Sequence, residues 1–118
     1  IKDSKDAIKC LEITNADGVM IGRASMGAPW LVGQIDEEIN NQKTFKTPDA
    51  KMKISLSLEH LKLLVSKKGN HGLLIARKHM NWTCRGFQGS SALRHKLVRA
   101  STPNEAIKLL EEELIKLN

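Results

Sequence analysis

The chain has 118 residues, 41% of them hydrophobic, which suffices for a folded core and excludes a disordered segment. No apolar run approaches the roughly 20 residues of a membrane span, and two distant cysteines, Cys10 and Cys84, exclude a disulfide-stapled scaffold. The net charge of +6 is unevenly placed, −2 over residues 1–45 and +8 over residues 46–118.

Ser4 is the expected N-cap of a first helix running through Ala7, Ile8, Leu11 and Thr14, with Asp6 in its first turn. The segment Asn15–Gly18 ends that helix. Gly18 to Ile21 then reads as a short strand with no polar alternation, the pattern of a strand covered on both faces. Gly22–Arg23–Ala24 follows as a tight turn into a helix. Helix, apolar strand and glycine turn make part of an α/β repeat. A single strand makes no sheet, and a whole (β/α)₈ barrel needs roughly 250 residues. Residues 1–40 therefore read as the end of an α/β domain. Exposed Val19, Met20 and Ile21 would leave this strand irregular, covered by helices or paired with a second copy.

A second helix is expected after Pro29, through Trp30, Leu31, Ile35 and Ile39. Residues 41–48 are polar, contain Pro48, and mark the change of charge sign. They are the expected linker to a helical domain at 49–118.

Residues 49–66 fit two patterns. Met52, Ile54, Leu56 and Leu58 alternate like a strand, whereas Ile54, Leu58, Leu61 and Val65 share a helical face. The length favours a helix. Residues 71–85 place Leu73, Ala76, Met80 and Thr83 on one face, with Arg77, Lys78, Asn81 and Arg85 along another. Ser90 or Ser91 caps a short helix that buries Ala92, Leu93 and Leu97. Thr102–Pro103–Asn104–Glu105 is a capping box with Pro at the first helical position, opening a last helix with Ile107, Leu110, Leu114 and Leu117 as its buried stripe. The expected architecture is mainly α: a C-terminal helical bundle preceded by the end of an α/β domain.

Two features carry chemistry. At Gly22, glycine permits a positive φ and close approach of a ligand. The amides of Arg23 and Ala24 and the charge of Arg23 suit a phosphate, as in the phosphate sites built after the last strands of barrels. A turn that binds nothing fits the same residues. The second feature is a stretch without acidic residues between Glu59 and Glu105, which holds nine Lys and Arg side chains. A one-sign surface of this length is relieved by a polyanion, and nucleic acid is the expected partner. Arg77, Lys78, Arg85, Arg94 and Lys96 are its candidate contacts. Trp82 either packs in the core or stacks on a base. The four histidines and two cysteines show no metal-ligand spacing, so no metal is expected.

The stretches "ADGVMIGRASMGAPWL" and "ARKHMNWTCRGFQGSSALR", in this order and about 50 residues apart, resemble the C-terminal third of bacterial tRNA-dihydrouridine synthases. The resemblance runs over essentially the whole chain and implies that residues 1–40 are the last α/β element of a TIM (β/α)₈ barrel, ahead of the helical bundle. It implies a cytoplasmic enzyme whose FMN, reduced by NADPH, passes hydride to the C5–C6 bond of uridines in tRNA. It implies FMN phosphate binding by Gly22, Arg23 and Ala24, opposite a second glycine-rich turn upstream of Ile1, and tRNA binding by the helical domain. The family's catalytic cysteine also lies upstream; neither Cys10 nor Cys84 matches its motif. The 118 residues alone are expected to be inactive, to bind FMN weakly at most, and to be prone to self-association through the exposed strand. A stand-alone nucleic-acid-binding module is the alternative. Another flavin barrel, of the dihydroorotate dehydrogenase type, leaves the basic extension without a purpose.

Overall fold

Helix α1 (Ser4–Thr14) is capped by Asp3, not by Ser4. Asp3 is extended, at φ −152° and ψ −179°, and its carboxylate accepts from the Asp6 amide at 2.9 Å. Ser4 is already helical. Asn15 closes the helix in the left-handed region, at φ 53°, returning its amide to the Leu11 carbonyl. The structure is a computed structural model that describes residues 1–117. It divides into two compact units, Ile1–Thr47 and Pro48–Asn118.

In the first unit α1 packs against α2 (Leu31–Asn41), and a single 3₁₀ turn, Arg23–Ser25, lies between them. Ala7 and Ile35 are its buried side chains. Gly18 to Ile21 forms no strand, and none occurs among the described residues. A lone strand has no neighbour to take its amides and carbonyls, so the segment stays irregular. Met20 is 87% exposed, while Val19 and Ile21 line a hollow with Leu11, Ile35 and Ile39.

The second unit is a four-helix array: α3 (Ala50–Lys68), α4 (Asn70–Thr83), α5 (Ser90–Arg99) and α6 (Pro103–Lys116). Helix α3 packs on α4 and α6, and α5 joins α4 to α6. Asp49 caps α3 by accepting from the Met52 amide at 2.9 Å. The helical pattern prevails in this segment. Ile54 and Leu61 are buried, whereas Met52, apolar only in the strand pattern, is 51% exposed.

The connection from α3 to α4 is one residue, Gly69, at φ 59° and ψ −138°. Three residues on, Gly72 lets the helices touch. A Cβ there would collide with the Leu64 carbonyl and stand 2.9 Å from the Val65 nitrogen.

Gly89, at φ 82°, caps α5 in place of Ser90 or Ser91. The inward face is Ser90, Leu93 and Leu97; Ala92 lies about 100° away from Leu93 around the helix and is exposed, contrary to expectation. Thr102 caps α6, its hydroxyl accepting from the Glu105 amide at 3.2 Å, with Pro103 in the first turn. The Glu105 carboxylate reaches back to the Ser101 amide at 3.0 Å, one residue further than a standard capping box. Ala106 and Leu110 are fully buried. Leu117 is 47% exposed and does not join the stripe, because α6 has ended at Lys116. The core joins Ile54, Leu61, Leu73, Ala76, Met80, Cys84, Leu93, Leu97, Ala106 and Leu110.

Candidate cofactor and nucleic-acid sites

The turn after the irregular segment opens at Gly22. Its carbonyl accepts from the Ser25 amide at 3.0 Å and the Ser25 hydroxyl at 2.7 Å, and the Arg23 carbonyl accepts from the Met26 amide at 3.1 Å. The Arg23 and Ala24 amides stand at the head of the turn, ahead of any carbonyl the turn offers them. Gly22, Arg23 and Ala24 line one hollow of about 570 Å³ with Ile1 and Lys2. Gly22 has φ −96°, so the turn does not use the positive φ that glycine permits. A Cβ there would meet nothing within 4 Å. Lys2, which sequence reasoning did not select, adds a second cation beside Arg23.

In the second unit, Arg77, Lys78 and Asn81 on α4 face Ser91, Arg94 and His95 on α5 across a groove of about 380 Å³. Three of the five expected contacts, Arg77, Lys78 and Arg94, thus share one site. No carboxylate lines it. The described ion pairs are Lys43–Glu37, Lys62–Glu111 and Lys116–Glu113, none of them in the groove. Arg77 and Arg94 are partly buried and tied to backbone. Arg77 Nη2 donates to the Ala100 carbonyl at 2.7 Å and Arg94 Nη1 to the Cys84 carbonyl at 2.8 Å.

The other two candidates lie elsewhere. Arg85 is exposed and lies just beyond the end of α4, not on it as the spacing predicts; it donates its Nε back to the Asn81 carbonyl of α4 at 2.8 Å, while its carbonyl accepts from Lys53 Nζ at 2.7 Å. Lys96 lines a different hollow, between α5 and α6, with Arg99, Lys108, Glu105 and Glu112. It follows Arg94 by two residues, which on a helix puts it on another side. His95 and Ser91 were missed as groove residues; their spacing from Arg94, one ahead and three behind, is the available signal.

Trp82 is 36% exposed and meets the His79 ring edge-on at 5.6 Å; His79 in turn lies 4.8 Å from His60. It belongs to a surface cluster rather than the core. Burial, and secondarily the neighbouring His79, pushes the His60 imidazole below its ordinary value of 6.5. Cys84 is fully buried, and burial pushes its thiol up against the opposing effects of Ser57, Arg94 and Lys53. Its Sγ lies 3.5 Å from the Ser57 hydroxyl. A protonated, enclosed thiol packs rather than reacts. Among the described residues no group of three or more His, Cys, Asp or Glu side chains is placed to hold a metal ion, and no helix is long and apolar enough to cross a membrane.

The profile of the dihydrouridine synthase (Dus) family matches residues 1–118. A probable tRNA-dihydrouridine synthase 1 of Synechocystis sp. is 42% identical over 92% of this chain and 30% of its own length. A tRNA-dihydrouridine synthase B of Pasteurella multocida is 33% identical over 94% of the chain and 34% of its own length. A probable tRNA-dihydrouridine synthase of Rickettsia bellii is 38% identical over 75% of the chain and 27% of its own length. The chain thus spans about a third of the length of the curated relatives it matches, and it belongs to the dihydrouridine synthase family.

Proposed function

We propose that this chain is the C-terminal part of a flavin-dependent tRNA-dihydrouridine synthase, contributing part of the FMN phosphate site and a basic surface that holds tRNA. The observation that carries the second role is the carboxylate-free groove in which Arg77, Lys78 and Arg94 converge. Phosphate contacts of this kind position a nucleic acid without reading its sequence. Arg85 and Lys96 extend the basic surface outside the groove. The family match includes residues 1–24 as well as the bundle, which favours the synthase over a stand-alone nucleic-acid-binding module.

The residues of the turn suit the phosphate end of FMN. The Arg23 and Ala24 amides and the Lys2 and Arg23 cations supply donors and charge, and the open space at Gly22 admits an oxyanion. When bound in the complete protein, FMN supplies hydride transfer from NADPH to the C5–C6 bond of uridine. The target base must leave the stack to be reached there, so the tRNA has to be held while it is strained. A rigid, cationic helical unit does that by gripping the backbone. Such an enzyme would work in the cytoplasm.

The test is tRNA affinity of the chain across a salt series. Affinity should fall steeply as salt rises, through counterion release. Lys78→Glu with Arg85→Glu should weaken binding to many tRNAs alike, since both side chains are exposed and neither ties one helix to another. Unchanged affinity and salt slope in the folded double variant would remove this surface from the tRNA site.

A further inference from the structure

The groove's two arginines are anchored in a reciprocal way. Arg77, from α4, donates to the C-cap carbonyl of α5, Ala100, and Arg94, from α5, donates to the C-cap carbonyl of α4, Cys84. A guanidinium has five N–H donors in a rigid plane. Anchoring one of them on a neutral carbonyl orients the plane and leaves the charge uncompensated. The Nε of Arg77 is buried without a hydrogen-bond partner among the described residues. An unmade bond at a buried charged donor is costly, and the environment that tolerates it is already committed to this position of the side chain. Lys78 and His95 line the same groove.

We propose that the α4–α5 groove is a fixed phosphate clamp: Arg77 and Arg94 together grip one phosphodiester group of a bound RNA. This rests on reading the bundle as the tRNA-binding surface, and adds that one point on it is built for geometry rather than for charge. Two planar forks match the oxygens of a phosphate, which an ammonium meets only as a point charge. Because both side chains are held before binding, little rotamer entropy is lost on contact. Lys78, exposed and with its charge at the end of a flexible stem, supplies attraction alone.

The direct test follows the arginine Nε–H resonances of the ¹⁵N-labelled chain as inorganic phosphate is added. Arg77 and Arg94 should shift together along one saturating curve, while Arg85 and Arg99 do not follow it. Parallel, unsaturating drift of all the arginines would overturn the clamp. A tRNA added next should displace the phosphate from both. If tRNA binds while phosphate stays in place, the groove serves a free anion and the RNA assignment falls. Arg77→Lys and Arg94→Lys, which keep the charge, should each lower tRNA affinity about tenfold, roughly the worth of one charge-assisted bond, with the salt slope unchanged. Wild-type affinity in either folded lysine variant would overturn the clamp and leave the charge-based surface standing. That surface fails separately, if the Lys78→Glu, Arg85→Glu variant keeps its affinity and salt slope. The wild-type phosphate titration decides the clamp even if a lysine variant does not fold.

Discussion

Arg77 and Arg94 close each other's helices. The Arg77 guanidinium meets the last carbonyl of α5 at 2.7 Å, and the Arg94 guanidinium meets the last carbonyl of α4 at 2.8 Å. Carbonyls at a helix C-terminus have no partner within the helix and sit at the negative end of its dipole, so a cation from a neighbouring helix satisfies both needs. The basic surface and the packing of α4 against α5 therefore depend on the same side chains.

Arg77→Ala and Arg94→Ala should each destabilise the chain by about 1.5–3 kcal/mol, the range for hydrogen bonds to charged groups, measured by urea denaturation. Arg85→Ala should cost less than about 0.5 kcal/mol, because its side-chain bond is exposed and returns to α4, which it directly follows, without reaching a second helix. Equal losses at Arg77 and Arg85 would show that the tie between helices adds nothing. Spacing alone puts Arg77 and Arg85 along one side of a helix over 71–85; in the structure α4 ends at Thr83, Arg85 lies beyond it, and of the two side chains Arg77 reaches α5.

What was legible in the sequence follows the range of the forces involved. Thr102 with Pro103 and Glu105 announces α6 because a cap is settled within one turn. The stripe Leu73–Ala76–Met80–Thr83 is legible because burial repeats with the helical period, and all four are buried. The role of Arg77 was not legible, since its partner Ala100 is 23 residues away and offers only a carbonyl, which every residue has. Nor was the separation of Lys96 from Arg94, a matter of which neighbour each side of α5 faces. At Gly22 the sequence allows a positive φ, whereas the backbone has φ −96° with open space where a Cβ would stand, a difference the sequence does not carry.

Gly72→Ala tests the contact between α3 and α4. The methyl group would meet the backbone of Leu64 and Val65, which cannot rotate away as a side chain can. Although alanine is the better helix former, overpacking should win, at about 1–3 kcal/mol of lost stability. A lower denaturant midpoint with helical circular dichroism retained is the expected outcome. A variant as stable as wild type would mean that the two helices separate at little cost.

His60 gives the bundle a pH dependence whose sign is set by its lowered value. In the folded chain the imidazole takes up its proton at a lower pH than the ordinary 6.5, through burial first and the neighbouring His79 second. Between those two values the unfolded chain binds more protons, so stability rises with pH across that window. The contribution is complete above about pH 6.5 and is lost as the pH falls through the folded value. Unfolding midpoints measured from pH 7.5 to 5 should fall, and should fall less in His60→Gln. Identical pH profiles for the two proteins would exclude His60 as the source.

Gly22→Val separates the two proposed sites. Gly22 sits at φ −96°, and a Cβ there meets nothing within 4 Å beyond its chain neighbours. The first unit should keep its helix content. The branched side chain would instead occupy part of the hollow beside Arg23 and Ala24, where an oxyanion has to approach the turn. In the complete protein, FMN affinity should fall roughly tenfold, as expected for the loss of about one charge-assisted hydrogen bond. Affinity for tRNA should be unchanged, because the cationic groove belongs to the second unit. Flavin absorbance per mole of purified protein reads the first effect and a tRNA titration the second. Full flavin occupancy in the variant would show that the turn shapes the chain without holding the phosphate.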